Sequence, residues 1–224
     1  MKISFLLPTR GRSENLKLVL DSLENTCDSI SNYEVILCFD NDDVKHIEEF
    51  DSWTKNYNFK KIVIDRCGYD NIHIYYNKAA EESSGDWLWV WNDDCEMIKK
   101  GWDTIISEYN GQFVIINPWN TRDVDAQYLL TNLMFPIFPR KYLELLGHLS
   151  PWNHIDTYTD HVVSVFNFPI KQNEWRIVHT HNKQNDQTTR EIFYHRIPMP
   201  INQLTIDRTK ISNYLKLINV EDNI

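Results

Sequence analysis

Within about forty residues of its start the chain reads strand, helix, strand. Ile3-Ser4-Phe5-Leu6-Leu7 is a short apolar run, broken by Pro8-Thr9-Arg10-Gly11-Arg12. Ser13 offers a helix N-cap, and Leu16, Val19, Leu20 and Leu23 then recur at the spacing of one helical face. Tyr33 to Phe39 is the second apolar run, and it ends in Asp40-Asn41-Asp42-Asp43. Two strands joined through a helix lie parallel, with a right-handed crossover. Hairpin and meander sheets are thereby excluded for this part of the chain. The carboxyl ends of the strands fall on one edge, where open α/β sheets gather their ligands.

The remaining segments extend that pattern. Val44 to Tyr57 is expected to be helical, Lys60 to Asp65 a third strand, and Arg66 to Asp70 a loop. Ile72 to Ser84 carries a helix, with Gly85 at its C-terminal position. Trp87 to Trp91 is continuously apolar between Gly85-Asp86 and Asn92-Asp93-Asp94, the pattern of a strand buried on both faces. A helix is expected over Met97 to Tyr109, and a strand over Phe113 to Asn117. From Pro118 the texture changes, with Pro136, Pro139 and Pro151 set among aromatics. There the pattern predicts an extended Leu133–Arg140, a short helix Lys141–Leu146 stopped by Gly147, and a helix starting near Tyr158. A last strand is expected over Trp175–Thr180, a polar mobile loop over Asn182–Arg190, and a terminal helix over Ile206–Leu217. The organisation expected is one domain in two halves, 1–117 and 118–200, followed by a helical tail, 201–224.

The chain's 224 residues suit one sizeable α/β domain. With 23 Lys plus Arg against 32 Asp plus Glu, the net charge of −9 argues against a nucleic-acid partner or an anionic membrane surface. Cys27, Cys38, Cys67 and Cys95 show no CxxC spacing and read as free thiols of a reducing compartment. No run approaches the ~20 apolar residues of a membrane span, so a soluble, cytoplasmic chain is expected. Eight Trp are many for a chain of this size; Trp119 and Trp152 read as core residues first, and as candidate platforms for a sugar or acceptor second.

Three clusters end strands of the one sheet: Pro8-Thr9-Arg10, Asp40-Asn41-Asp42-Asp43 and Asn92-Asp93-Asp94. Any one of them alone is equally a solvated turn, because Asn and Asp are ordinary turn residues. Their convergence on one rim favours a site. Carboxylates there are hard oxygen ligands, suited to Mg²⁺ or Mn²⁺. Arg10, Arg12 and Arg66 lie in loops at strand ends, where a guanidinium can meet a phosphate or base; Arg10 is the best placed of them. Asn77 and Lys78 are further candidates for facing a nucleotide.

Taken in order, a strand ending Leu-Pro-Thr-Arg-Gly-Arg, a helix, a strand ending in Asp40, and then Gly85-Asp86-Trp87 leading to Asn92-Asp93-Asp94 resemble the nucleotide-sugar-binding half of GT-A fold glycosyltransferases, the broad family-2-like group. The resemblance covers residues 3–110 and continues more loosely to His181. It implies a mixed, mainly parallel α/β sheet flanked by helices. It implies that the end of the first strand (Pro8, Thr9, Arg10) and Asp40 hold the nucleoside. The triplet holds the ribose and the divalent metal, with Asp94 as metal ligand and Asp93 in support. Asn92 stands where that group often has its first Asp; an amide there still accepts a ribose hydroxyl's hydrogen bond. The resemblance also points to His181, and next His179, as a nitrogen ligand that would favour Mn²⁺ over Mg²⁺. For the base of an inverting reaction, Asp160 is the first choice and Asp156 the second.

The resulting expectation is a metal-dependent glycosyltransferase that uses a UDP-sugar and a saccharide or other hydroxyl acceptor. The alternatives are a catalytically weak nucleotide-sugar-binding module of the same fold, or a retaining enzyme. A nucleotidyltransferase is disfavoured because only Gly11 stands where a glycine-rich phosphate loop would be needed.

Overall fold

The computed structural model describes residues 1–53, 57–120, 133, 135–164, 170–179 and 197–221. Strand β1 (Ile3–Thr9) lies between β2 (Tyr33–Asp40) and β4 (Trp87–Val90), parallel to both. Beyond β2 lies β3 (Phe59–Ile64), also parallel. On the far side of β4 the direction reverses at β7 (Ile137–Pro139). The sheet then continues through β6 (Ile115–Asn120), β8 (Ile170–His179) and β5 (Cys95–Met97), giving the order β3-β2-β1-β4-β7-β6-β8-β5. This is the mixed, mainly parallel sheet expected. Helix α1 (Ser13–Thr26) makes the first crossover, and α2 (Val44–Asp51) and α3 (Ile72–Glu81) follow the next two strands.

The alternation along β1 shows why its neighbours are apolar throughout. Phe5 and Leu7 face the α1 side with Leu16, Val19, Leu20 and Leu23. Leu6 faces the α3 side with Tyr76, Ala79 and Ala80. In β4, Trp87 and Trp89 join the first cluster and Leu88 and Val90 the second. The Phe5 ring stacks on Trp89 at 4.9 Å and meets Trp102 edge-on at 5.0 Å. Truncating a fully buried aromatic of this kind typically costs about 3–5 kcal/mol. Much of the surplus Trp is therefore core: Trp87, Trp89, Trp91 and Trp102 are all buried.

Several local expectations are corrected. Ser13 is the first helical residue and Arg12 the N-cap; the Ser13 hydroxyl donates instead to Glu49 Oε2 at 2.6 Å. Gly85 does not end α3, whose C-cap is Glu82. A Cβ at Gly85 would lie 2.5 Å from Ser4 Oγ, 2.7 Å from Ser4 N and 2.9 Å from Lys2 O, so close approach to β1 is what requires glycine there. The helix expected from Met97 is strand at its start, because Cys95–Met97 pairs with Ile177–His179. Only Trp102–Ser107 is helical (α4), entered through Gly101 at φ 68°. Helix α2 stops at Asp51, short of Tyr57.

Helices α5 (Arg140–Leu146) and α6 (Ile155–Val163) follow β7, and α7 (Ile201–Glu221) packs against both. The junction is polar at its centre: Tyr158 donates to the buried Asp207 at 2.6 Å, and Arg208 Nη2 donates to His161 O at 2.6 Å. Among the described residues no helix is long and apolar enough to cross a membrane. The expected loop 182–190 lies outside the described residues.

Candidate active site

The register brings the carboxyl ends of β1, β2 and β4 level, since Leu6 pairs with both Ile36 and Val90. The side chains that follow meet across the rim. Thr9 donates to Asp93 Oδ2 at 3.0 Å. Arg12 Nη1 lies 2.8 Å from Asp93 Oδ1 and 3.9 Å from Asp94 Oδ2. Both carboxylates are almost buried, at 6% and 8% exposure. Burial raises the Asp93 carboxyl above its ordinary pKa; Arg12 opposes that rise and the neighbouring Asp94 adds to it.

A second cluster stands at the end of β2. Arg10 Nη1 lies 2.8 Å from Asp40 Oδ2 and 2.5 Å from Asp42 Oδ1, and Arg66 lies 3.6 Å from Asp42. The other oxygen of Asp40 accepts from the Tyr75 hydroxyl. That hydroxyl in turn accepts from the Cys67 amide at 2.8 Å, tying the loop after β3 to the rim. Gly11 N donates to Asp43 Oδ2 at 2.7 Å and to His46 Nδ1 at 2.9 Å, which fixes the turn carrying Arg10 and Arg12. Pro8 lies within β1, opposite Cys38.

Asn92 accepts from the Tyr76 hydroxyl at 2.6 Å, so its amide orientation is set from α3. Asn77 has a different employment. Its side-chain carbonyl accepts from Leu149 N at 2.8 Å and its NH₂ donates to Ser150 O at 2.7 Å. It clamps the loop that leads to α6. Sequence reasoning had singled out neither Tyr75 nor Tyr76. Their one signal is two adjacent tyrosines on a helix whose apolar face is otherwise small, Ala79 and Ala80.

Helix α6 carries both acidic candidates for the base. Asp156 is in its first turn, and its Oδ1 accepts from Thr157 N at 2.7 Å. Asp160 stands one turn further on, its carboxyl raised by burial. Tyr69 follows Gly68, which has φ 75°. Its hydroxyl is pushed up first by burial and then by the charges of Asp156 and Asp94. One phenol thus feels both the first turn of α6 and the end of β4.

Trp152 donates from Nε1 to Ile197 O at 2.9 Å and meets His154 edge-on. The Trp119 side chain and His181 lie outside the described residues. For His179 the backbone is described, and it pairs with Cys95, the residue after Asp94. Among the described residues no three of His, Cys, Asp and Glu assemble into a group that would hold a metal alone. The donor set does suit a hard divalent ion that keeps phosphate oxygens and water as its other ligands, because such an ion needs only one or two carboxylates. The carboxylates available at this rim are those of Asp93 and Asp94.

The sheet order and the charged rim outside four parallel strand ends define a GT-A type glycosyltransferase sheet. Residues 4–205 match the model of glycosyl transferase family 2, and the chain belongs to that family. It is 34% identical over 103 residues to the abequosyltransferase RfbV of Salmonella typhimurium, a match covering 44% of this chain and 30% of that protein. Among solved structures it resembles the mannosyltransferase PcManGT of Pyrobaculum calidifontis, in complex with GDP-Man and Mn²⁺. There the TM-score is 0.64 at 12% identity, covering 93% of this chain and 68% of that one. It also resembles S. aureus TarS 1-349 in complex with UDP-GlcNAc, with TM-score 0.64 at 14% identity, covering 87% and 62%. The chain therefore spans under a third of the abequosyltransferase and about two thirds of these two structures.

Proposed function

We propose that this chain transfers a glycosyl group from a nucleotide-diphosphate sugar, first among them a UDP-sugar, to an acceptor hydroxyl with inversion, aided by Mn²⁺ or Mg²⁺. The observation that carries the reading is the rim itself: Arg10–Asp40 and Thr9–Arg12–Asp93–Asp94 stand side by side at adjoining strand ends. Residues 1–117 form the donor half and 118–200 the acceptor half, with 201–224 as a tail whose helix α7 packs on α5 and α6.

Each role follows from chemistry. Asp40, oriented by Tyr75 and Arg10, accepts from the nucleoside. Arg10 and Arg66 stand where a phosphate or base would pass. The Asn92 carbonyl, held by Tyr76, accepts a ribose hydroxyl. Asp94 would hold the divalent ion, with His181, or next His179 at the end of β8, as a further ligand. Bound to the diphosphate, that ion supplies Lewis-acid stabilisation of the leaving charge. In an inverting displacement the acceptor oxygen bonds to the sugar's C1 while the C1–O bond to phosphate breaks, and a carboxylate takes the hydroxyl proton.

Asp156 is the better base than Asp160. The charge of Asp156, in the first turn of α6, acts on Tyr69 together with that of Asp94, whereas Asp160 is one turn further on. The PcManGT complex contains GDP-Man and Mn²⁺ and the TarS complex UDP-GlcNAc, which supports a nucleotide-sugar donor with a divalent ion but leaves the base open.

The test is nucleotide release across UDP-, GDP- and CMP-sugars with Mn²⁺. Release is expected from one donor class, with kcat about 10²–10⁴ lower in Asp156→Asn and less than tenfold lower in Asp160→Asn. No release from any donor would overturn the enzymatic reading and leave a binding module. Retained configuration at C1 in the product would overturn the inverting assignment.

A further inference from the structure

The carboxylates at the end of β4 already hold a cation. Arg12 Nη1 lies 2.8 Å from Asp93 Oδ1 and 3.9 Å from Asp94 Oδ2, so one guanidinium nitrogen serves both acids. Asp93 is further held by Thr9, while the Arg12 side chain retains 24% exposure at the N-terminal edge of α1. Its turn is anchored through the backbone, by Gly11 N to Asp43 and by Leu16 N to Arg12 O at 2.9 Å. The turn is thus held by its backbone, and the guanidinium lies at the end of a three-carbon stem.

We infer that Arg12 is a placeholder cation. It neutralises the Asp93–Asp94 pair while the site lacks donor, and it moves onto the diphosphate when nucleotide and metal arrive together. The inference rests on the metal-dependent reading above. A guanidinium and a divalent ion this close to one carboxylate repel each other, and the low dielectric of an almost buried site strengthens that repulsion. Metal alone must displace Arg12 with nothing to receive it. A nucleoside diphosphate supplies phosphate oxygens that a guanidinium binds through two parallel hydrogen bonds. Metal and nucleotide then bind as a coupled pair, and the coupling is reciprocal. Asp94 would be kept from holding a metal ion before a donor is present.

Mn²⁺ binding is measured by electron paramagnetic resonance of the free ion, with and without UDP or GDP. Wild type is compared with Arg12→Met, Arg12→Gln and Arg12→Lys, each checked for folding by thermal melting. Wild type is expected to bind Mn²⁺ at least tenfold tighter with nucleotide than without. Arg12→Met and Arg12→Gln, the latter keeping a donor for Asp93, should bind Mn²⁺ alone at least tenfold tighter than wild type. Their gain from nucleotide should shrink, whereas Arg12→Lys should stay within about threefold of wild type. If both neutral variants bind Mn²⁺ alone no tighter than wild type while nucleotide-coupled binding persists, the placeholder role is overturned and the metal reading stands. If Arg12→Lys matches the neutral variants, charge is not the cause and the inference again fails. If wild type binds no Mn²⁺ even with nucleotide, the metal reading falls, and this inference with it.

Discussion

The two ends of strands β1, β2 and β4 are both crowded with polar side chains, and they are built differently. At the amino ends, Glu34 accepts from Lys2 Nζ at 2.7 Å, from Ser4 Oγ at 2.7 Å and from Ser84 N at 2.6 Å. Ser4 Oγ accepts in turn from Gly85 N, and Arg140 donates to Gly85 O, Ala80 O and Ser83 Oγ. Donors there converge on each acceptor and charges are matched. At the carboxyl ends, Asp40, Asp42, Asp43, Asp65, Asp93 and Asp94 face Arg10, Arg12 and Arg66. The first end is closed and holds strands together. Among the described residues the second keeps an excess of negative charge, which favours a cation there.

The largest effect that would break this contrast is a pair of truncations. Asp94→Ala is expected to lower kcat/KM by about 10³ or more, as loss of charge stabilisation in a closed site does, while the melting temperature stays level or rises because a like-charge neighbour of Asp93 is gone. Glu34→Ala should do the reverse. It leaves Lys2 and three other donors facing an empty space and costs about 2–3 kcal/mol of stability, with kcat/KM at 20 °C within about twofold. Thermal melts and steady-state kinetics on the same preparations decide it. If Glu34→Ala were the inactive variant, the closed end would not be merely structural.

Gly85→Ala comes next in size. The added methyl would press on the backbone of Ser4 and Lys2, where a neighbouring strand cannot yield as a flexible side chain could. A loss of about 2 kcal/mol is expected by urea titration, within the usual range for overpacking. The same substitution at Gly111, where a Cβ meets nothing within 4 Å but φ is 78°, should cost only about 1 kcal/mol, from backbone strain alone.

The rim was legible in the sequence because its residues follow strands whose periodicity is strong. Asp40 and Asp93-Asp94 sit directly after doubly buried runs, so their place on the sheet edge follows from strand direction alone. What was illegible depends on contacts made across the fold. Gly85 reads as a helix stop because Ser83 and Ser84 precede it, and only the approach of Ser4 reveals its purpose. Asn77 reads as a candidate for facing a nucleotide, and only the return of the 149–150 backbone onto α3 shows it as a clamp. Cys95–Met97 is too short to show a period, and it becomes strand by pairing with Ile177–His179, far along the chain. Asp156 and Asp160 sit at helical spacing on one element, so the sequence pattern alone does not separate them.

Acid should also separate the two ends. Burial alone would raise Glu34, but the donors from Lys2, Ser4 and Ser84 outweigh it and bring the carboxyl down to about 2 from an ordinary 4.5. A depressed carboxyl contributes stability that is fully present above its unfolded pKa and is lost as pH falls through the folded one. Asp207, lowered by His148, Tyr158 and Gln203 against the effect of burial, acts in the same sense. Unfolding free energy should therefore be level with respect to these groups above about pH 5 and should fall from pH 4.5 toward 2. In Glu34→Gln the fall should be shallower by about 2 kcal/mol, discounted for the partial exposure of Lys2. An equal slope in both proteins would show that the amino-terminal network is not what acid undoes.

The smallest effect expected tests whether the carboxyl-terminal rim is tuned as well as charged. The Tyr75 hydroxyl donates to Asp40 while accepting from Cys67 N and Gly68 N. It links the proposed nucleoside acceptor on β2 to the loop after β3. Tyr75→Phe removes this link while leaving the ring packed on α3. One hydrogen bond to a charged group, already shared with Arg10, carries about 1 kcal/mol. UDP binding should weaken about fivefold, with KM rising and kcat nearly unchanged, because the nucleoside contact is the same in ground and transition states. A fall in kcat at constant KM would place Tyr75 in the chemical step. No change in either would mean that Arg10 alone orients Asp40, and that the open end of the sheet is set by charge without help from the helix behind it.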